Sequence, residues 1–139
     1  MAIKILLSGG GDEQVAAKRL LYLRDPTGSE LDEDPMAMCV VRLAGVALTS
    51  LTPRDVLAAK FAARTEIVRV TAPNGARICV RGAAVVDVDD PPSTSAPGTN
   101  AWLVFGVGPR APRLAVRETR DMLRETWLDA GLDPEESGV

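Results

Sequence analysis

Short apolar runs separated by turn-forming residues mark the first part of the chain. The run from Ile3 to Leu7 ends at Ser8-Gly9-Gly10-Gly11, and Asp12 stands before a stretch from Glu13 to Leu23. Apolar residues recur in that stretch at roughly helical spacing, namely Val15, Ala16, Leu20 and Leu23. The pattern predicts a strand, a glycine turn and a helix. We expect an exposed, turn-rich loop over residues 25–35.

The middle of the chain combines a dense apolar segment with a helix-start signal. Residues 36–48 are rich in apolar and β-branched side chains, which predicts a mostly buried strand or a pair of short strands. Thr52 is suited to cap a helix with its hydroxyl, and Pro53 is suited to the first helical position. A helix is therefore predicted from about Pro53 to Arg64, with Asp55 favourably placed in its first turn.

The second half of the chain has the pattern of a strand meander followed by a helix. Apolar and polar residues alternate over 66–71, Pro73-Asn74-Gly75 is typical of a hairpin turn, and the returning strand is expected over 76–81. Further strands are predicted at 83–88, 101–107 and 114–116, with an irregular loop between Asp89 and Gly98. A final helix over 118–130 should end at Gly131, and the acidic tail 133–139 should be frayed.

These elements predict an α+β fold. We expect a mostly antiparallel sheet with two main helices, about 53–64 and 118–130, and an N-terminal strand-turn-helix at one edge. The chain has 139 residues and shows neither an internal repeat nor an abrupt change in composition. One domain spanning residues 1–139 is the simplest organisation.

Composition narrows the possible chemistry. The chain contains no histidine, which excludes Ser-His-Asp catalysis and histidine-ligated zinc, and we predict no catalytic residues, no metal and no cofactor. Its net charge of −3 disfavours nonspecific nucleic-acid binding. No apolar stretch resembles a signal peptide or a membrane span, so a cytoplasmic location without membrane attachment is expected. Cys39 and Cys79 are predicted to be buried thiols.

The glycine-rich stretch is the first candidate binding site. Glycines between a strand and a helix allow backbone N–H groups to approach a phosphate. Ser8-Gly9-Gly10-Gly11-Asp12-Glu13 resembles the Ser-Gly-Gly-x-Asp-Ser loop of the PP-loop ATP pyrophosphatase family, with Glu13 in place of the final hydroxyl residue. The resemblance implies a nucleotide site formed by Ser8, Gly9, Gly10 and Gly11. The alternative is a plain turn between two elements.

Acidic and basic clusters provide two more candidates. Asp87, Asp89 and Asp90, with the acidic segment 30–34 as a companion, either hold a divalent cation or are solvated loop residues. Arg69, Arg77 and Arg81 lie on the predicted hairpin. If they share one face, they could contact phosphate or an acidic protein surface, and otherwise they are the polar side of an amphipathic hairpin.

Residues 67–128 carry a second resemblance. Val70-Thr71-Ala72-Pro73-Asn74-Gly75, the strand from Val85 to Val88 before a Pro/Thr loop, and Val116-Arg117-Glu118-Thr119 before the last helix look like the small FlbD-type flagellar regulators. This resemblance implies a small regulatory or interaction module without catalysis.

The sequence therefore favours a non-catalytic protein-interaction module with a regulatory or assembly role. Its expected partner is another protein or a second copy of the chain. A structural component of a phage or bacterial particle and a nucleotide-binding domain are the two alternatives.

Overall fold

A computed structural model describes residues 2–139, and within them the chain forms three α-helices and ten strands. The strands pair in antiparallel fashion within each group of neighbouring strands, and together with the helices they confirm the predicted α+β class. The chain divides into two compact units, with the boundary between Thr65 and Glu66. We call them unit 1 and unit 2. One domain over residues 1–139 stays a prediction.

Unit 1 is built from two groups of antiparallel strands and two helices. The elements are β1 Ala2–Leu6, β2 Asp12–Ala16, the 3-10 turn Ala17–Arg19, β3 Leu20–Arg24, α1 Gly28–Glu33, β4 Cys39–Leu43, β5 Val46–Ser50 and α2 Arg54–Ala62. Strands β1 and β2 form a hairpin, the 3-10 turn follows, and β4 pairs with both β3 and β5.

The predicted helix over 13–23 is wrong, because this stretch forms β2, the 3-10 turn and β3. Ile3 pairs with Val15 across the β1–β2 hairpin, and both side chains are buried. Gly10 and Gly11 make the tight connection with positive φ angles of 104° and 77°. The apolar spacing that suggested a helix belongs to two strands, whose burial by neighbouring strands outweighs local propensity.

The expected loop over 25–35 contains a short helix, α1. Its N-terminus is a capping box in which the Glu30 N–H donates to Thr27 Oγ1 at 3.3 Å and the Thr27 N–H donates to Glu30 Oε1 at 2.9 Å. The Thr-x-x-Glu spacing that produces this box was present in the sequence. The loop prediction was therefore based on the turn-forming residues alone and missed the helix signal of Thr27 and Glu30.

The strand pair and the helix that follow form where they were predicted, but the pair is not mostly buried, because β4 is buried whereas Val46 and Ala47 of β5 are exposed. The helix cap also differs from the prediction. Residues 36–48 contain β4 and most of β5, and the helix forms as α2. Pro53, rather than Thr52, occupies the N-cap position, without a side-chain hydrogen bond. The Thr52 N–H instead donates to the buried Ser50 hydroxyl oxygen at 3.0 Å.

Unit 2 contains a hairpin, a three-stranded sheet and one long helix. The elements are β6 Ile67–Thr71, β7 Arg77–Arg81, the 3-10 turn Gly82–Ala84, β8 Asp87–Asp89, β9 Ala101–Val104, β10 Arg113–Val116, α3 Arg120–Asp129 and the 3-10 turn Pro134–Ser137. Strands β6 and β7 pair with each other, while β9 lies between β8 and β10. This order of strands and helix is the predicted one. The strand expected over 83–88 is wrong in its first part, because residues Gly82–Ala84 form a 3-10 turn and β8 begins only at Asp87, and β9 ends at Val104 instead of residue 107.

The core of unit 2 includes one face of α3. Leu123 and Trp127 are fully buried, whereas the neighbouring Met122 is 51% exposed. Thr119 caps the helix by accepting the Met122 N–H at 3.4 Å, and Gly131 follows with a φ of 78°. Leu123 and Trp127 are four positions apart on one helix face, while Met122 lies off that stripe.

The C-terminal tail is structured, which corrects the expectation that it frays. Residues Pro134–Ser137 form a 3-10 turn, and Ser137 is buried with its hydroxyl donating to the Gly82 carbonyl at 3.3 Å. The tail therefore packs within unit 2.

Both cysteines are buried, as predicted. Within residues 2–139, none of the helices has the length and apolar character needed to cross a bilayer.

Candidate interaction surfaces

The glycine turn Ser8–Gly11 joins two strands and has no helix behind it. Two backbone hydrogen bonds close the turn, in which the Leu7 N–H donates to the Gly11 carbonyl at 3.0 Å and the Gly10 N–H donates to the Leu7 carbonyl at 3.1 Å. The Ser8 N–H donates to the Thr49 carbonyl at 2.9 Å. The positive helix end on which the phosphate argument depended is therefore missing.

The charge beside the glycine turn is negative. The Ser8 hydroxyl donates to the carboxylate of Asp34, which follows the short helix α1. Asp12, at the other end of the turn, lies 3.5 Å from the ammonium group of Lys4. A phosphate at Ser8 would meet the Asp34 carboxylate, so this geometry favours the plain-turn alternative over a nucleotide site.

The acidic cluster around β8 faces arginines. Asp89 lies 3.5 Å from Arg113, and Asp90 lies 3.4 Å from Arg120. Asp87 Oδ1 accepts the Val88 N–H at 2.8 Å. Asp87, Asp89 and Arg113 line an open groove of about 450 Å³. Because two of the three carboxylates lie beside guanidinium groups, their local charge is balanced within unit 2.

The three predicted interaction residues lie on one face of the β6–β7 hairpin. Residues that pair across an antiparallel ladder share a face, and so do alternate residues along each strand. Arg69 pairs with Cys79, and Arg77 and Arg81 stand two positions on either side of Cys79. The side chains of Val68, Val70, Ile78 and Val80 form the opposite face and are buried, and Cys79, between the arginines on their own face, is buried as well. We call the side that carries Arg69, Arg77 and Arg81 the arginine face.

The arginines differ in exposure. Arg69 and Arg77 are exposed, while Arg81 is half-buried, and its burial lowers the pKa of its guanidinium group. Within residues 2–139, Arg69 takes part in none of the ion pairs. Guanidinium groups remain charged at physiological pH even after such a shift. All three arginines of this face therefore carry a positive charge, and Arg69 and Arg77 carry theirs at exposed positions.

The turn end of this hairpin is held by the segment before α3. The Arg117 N–H donates to the Thr71 carbonyl at 2.8 Å, and the Thr71 N–H donates to Glu118 Oε1 at 2.9 Å. The Arg117 side chain reaches the Pro73 carbonyl at 3.0 Å. These bonds hold the turn end of the β6–β7 hairpin against the segment before α3, so the hairpin that bears the arginine face is fixed in position.

A second surface, in unit 1, was missed by the sequence reasoning. The Leu51 N–H donates to the Leu6 carbonyl at 3.0 Å, and the Met38 N–H donates to the Ser50 carbonyl at 2.8 Å. Ser50 forms a β-bridge with Leu7 on one side and pairs with Cys39 on the other. One register position further along, Leu51 therefore lies between Leu6 and Met38. We call these three residues the apolar row. Their exposures are 42%, 38% and 48%.

A cleft of about 390 Å³ continues from Met38. Leu31 and the buried Ala37 contribute apolar walls, and Arg54 contributes a polar one. Arg54 lies 2.7 Å from Asp25 and 3.2 Å from Asp55. No signal in the sequence pointed to this surface, because the row and cleft are assembled from segments that are distant along the chain.

Comparison with protein-family models, with curated proteins and with solved structures finds no match to this chain.

Proposed function

We propose that this protein is a non-catalytic interaction module with a regulatory or assembly role, and that it recognises an acidic segment of a partner protein. The observation that carries the proposal is the placement of Arg69, Arg77 and Arg81 on one face of a single hairpin. A regulatory role is also what the resemblance to the FlbD-type regulators implies.

The spacing of the arginines favours an extended partner. Arg69 is diagonal to both Arg77 and Arg81 across the ladder, and diagonal neighbours in an antiparallel pair are about 7–8 Å apart. Alternate side chains of an extended peptide are about 6.6 Å apart, from a rise of about 3.3 Å per residue. A segment with acidic residues at alternate positions therefore matches the arginine face in charge and in spacing.

Guanidinium chemistry favours carboxylates at these positions. A guanidinium carries a planar fork of N–H donors that can bind a carboxylate through two parallel hydrogen bonds, and Arg69, which belongs to none of the ion pairs among residues 2–139, can offer this fork to a partner. Nucleic acid would also supply anions, but the net charge of −3 repels a long phosphate backbone from the molecule as a whole. A protein partner with a few local carboxylates avoids that long-range penalty.

The test is a binding measurement with a labelled twelve-residue peptide of alternating Glu and Val, followed by fluorescence anisotropy on the full chain. We expect binding that weakens with added salt and that falls at least about tenfold in an Arg69→Glu variant. Arg110→Glu is the matched control, because Arg110 is exposed, belongs to unit 2 and lies outside the hairpin. It changes the net charge by the same amount.

Two results would count against the proposal. Equal losses in the Arg69→Glu and Arg110→Glu variants would show that net charge alone governs binding. Tighter binding of a single-stranded oligonucleotide than of the Glu/Val peptide would make nucleic acid the better partner. Light scattering on the free chain distinguishes a foreign partner from self-association.

A further inference from the structure

We infer that the apolar row of unit 1 and the adjoining cleft form a second docking surface, which receives a basic, apolar segment of another protein. This surface is independent of the arginine face, since it is built from unit 1 alone. It also has the opposite charge preference.

The apolar row consists of large apolar side chains that are exposed to solvent and lie next to one another. Leu6, Leu51 and Met38 lie next to one another, and Met36, two positions before Met38, is 64% exposed. Single exposed apolar residues are common on protein surfaces, but adjacent ones are typical of binding sites. Two of the four side chains are methionines, whose flexible thioethers adapt to the shape of a partner.

The cleft extends this surface and gives it depth. Met38 belongs both to the apolar row and to the cleft, which Leu31 and Pro26 line on the side of α1. A volume of about 390 Å³ accommodates one or two large apolar side chains. The geometry therefore suits a segment that lays apolar residues along the row and inserts one of them beside Leu31.

The charges beside the cleft select a basic partner. Helix α1 carries Glu30, Asp32 and Glu33 and contains no basic residue, and Asp34 follows it directly. Arg24 pairs with Glu30, whereas Asp32 and Glu33 are exposed and belong to none of the ion pairs among residues 2–139. Within the cleft, two carboxylates surround the one guanidinium of Arg54. This excess of negative charge complements lysines or arginines on the incoming segment.

An amphipathic segment with leucines on one side and lysines on the other meets both requirements. Its leucines would cover the apolar row, and its lysines would lie against the exposed carboxylates of α1. The test uses three labelled 18-residue peptides of one helical pattern, composed of Leu and Lys, of Leu and Glu, and of Ser and Lys. Fluorescence anisotropy of each peptide with the full chain at physiological salt gives the affinities.

We expect the Leu/Lys peptide to bind at least about tenfold more tightly than either of the others. Equal binding of the Ser/Lys peptide would show that only charge is recognised and would overturn the role of the apolar row. Equal binding of the Leu/Glu peptide would overturn the role of the acidic rim. Failure of all three peptides to bind would overturn the whole inference.

Substitutions then locate the surface. Leu51→Gln and Met38→Gln should each weaken Leu/Lys binding several-fold, while Val46→Gln should leave it unchanged. Val46 is a matched control because it is 41% exposed and lies on the same unit, about 16 Å along β5 from Leu51. The same loss in all three variants would contradict the assignment.

Amide chemical shifts of the wild-type chain provide a readout that does not depend on the stability of any variant. Addition of the Leu/Lys peptide should shift the amides near Leu6, Leu31, Met38 and Leu51 and leave those of β6 and β7 unmoved. Shifts confined to other residues would place the peptide elsewhere and refute the proposal.

Discussion

Arg24 and Glu30 join the end of β3 to the first turn of α1 through two hydrogen bonds, of 2.6 and 3.0 Å. Glu30 also accepts the Thr27 N–H in the capping box, so one carboxylate links the helix cap to the sheet. The Arg24 guanidinium, more than any other group, holds the pKa of Glu30 down to about 2. The same pair raises the pKa of Arg24.

This arrangement predicts a loss of stability in acid. Because the folded-state pKa lies below the ordinary value of 4.5, the contribution of Glu30 is complete above about pH 4.5 and disappears as the pH falls towards 2. The Glu30 side chain is 39% exposed, so solvent screens the pair and the contribution should be about 1 kcal/mol or less.

Urea unfolding of the wild type and of Glu30→Gln at several pH values measures this contribution. Gln keeps an oxygen for the capping box and removes only the charge. The difference in the free energy of unfolding should be largest at neutral pH and vanish near pH 2. A difference that is independent of pH would contradict the role given to the ion pair.

Ser50 should be important for the stability of unit 1. Its side chain is fully buried, its hydroxyl donates to the Leu6 carbonyl at 2.7 Å, and its oxygen accepts the Thr52 N–H at 3.0 Å. Ser50→Ala leaves both backbone groups without that partner, which should cost about 1–3 kcal/mol in the free energy of unfolding. Ser93→Ala, in the exposed loop, should change it by less than about 0.5 kcal/mol. Similar values for the two variants would show that the buried bonds do not matter.

Gly138 should tolerate a side chain less well than Gly131. Both have positive φ angles, of 70° and 78°, and therefore share the backbone strain that alanine would introduce. A Cβ at Gly138 would lie 2.9 Å from Asp87 Cα, whereas a Cβ at Gly131 meets no atom within 4 Å.

Hydrogen exchange of the amides over 134–139 separates these two effects. Gly138→Ala should accelerate exchange there by releasing the tail from β8, and Gly131→Ala should do so much less. Equal acceleration would indicate that backbone strain alone is responsible and that the tail is not docked against Asp87.

The two tryptophans should be distinguishable by fluorescence. Trp127 is fully buried, and among residues 2–139 its indole N–H has no hydrogen-bond acceptor. Trp102 is half-buried and donates to Ser95 Oγ at 3.1 Å. A Trp102→Phe variant, which keeps only Trp127, should emit at shorter wavelength and resist acrylamide quenching more than Trp127→Phe. The reverse order would contradict the packing of α3 within unit 2.

Unit 2 could be predicted well from sequence because its signals are local. The Asn74-Gly75 turn and the alternation over 67–71 define a hairpin register, and that register places Arg69, Arg77 and Arg81 on one face. The prediction for the N-terminal region was wrong because the spacing of Val15 and Leu20 fits a helical period as well as it fits two strands. The pairing of Val15 with Ile3 decides between helix and strand, and the residues next to Val15 in the sequence do not indicate this pairing.

The apolar row could not be predicted for a related reason. Leu6, Leu51 and Met38 belong to three different segments, and each taken alone has the pattern of an ordinary core position. Leu6 ends β1, Met38 lies directly before β4 and Leu51 lies directly after β5. Their exposure depends on the bridge between Leu7 and Ser50, which turns the neighbouring side chains to the opposite face. A long-range contact of this kind leaves no periodic trace in the chain.

Binding of an acidic segment to the arginine face can be located by an NMR titration of the isotopically labelled full chain with the Glu/Val peptide. We expect amide shifts concentrated in β6 and β7, together with changes in the side-chain guanidinium signals of Arg69 and Arg77. Saturable shifts located outside β6 and β7 would contradict the proposal. The absence of any shift at a large molar excess of the peptide would also contradict it.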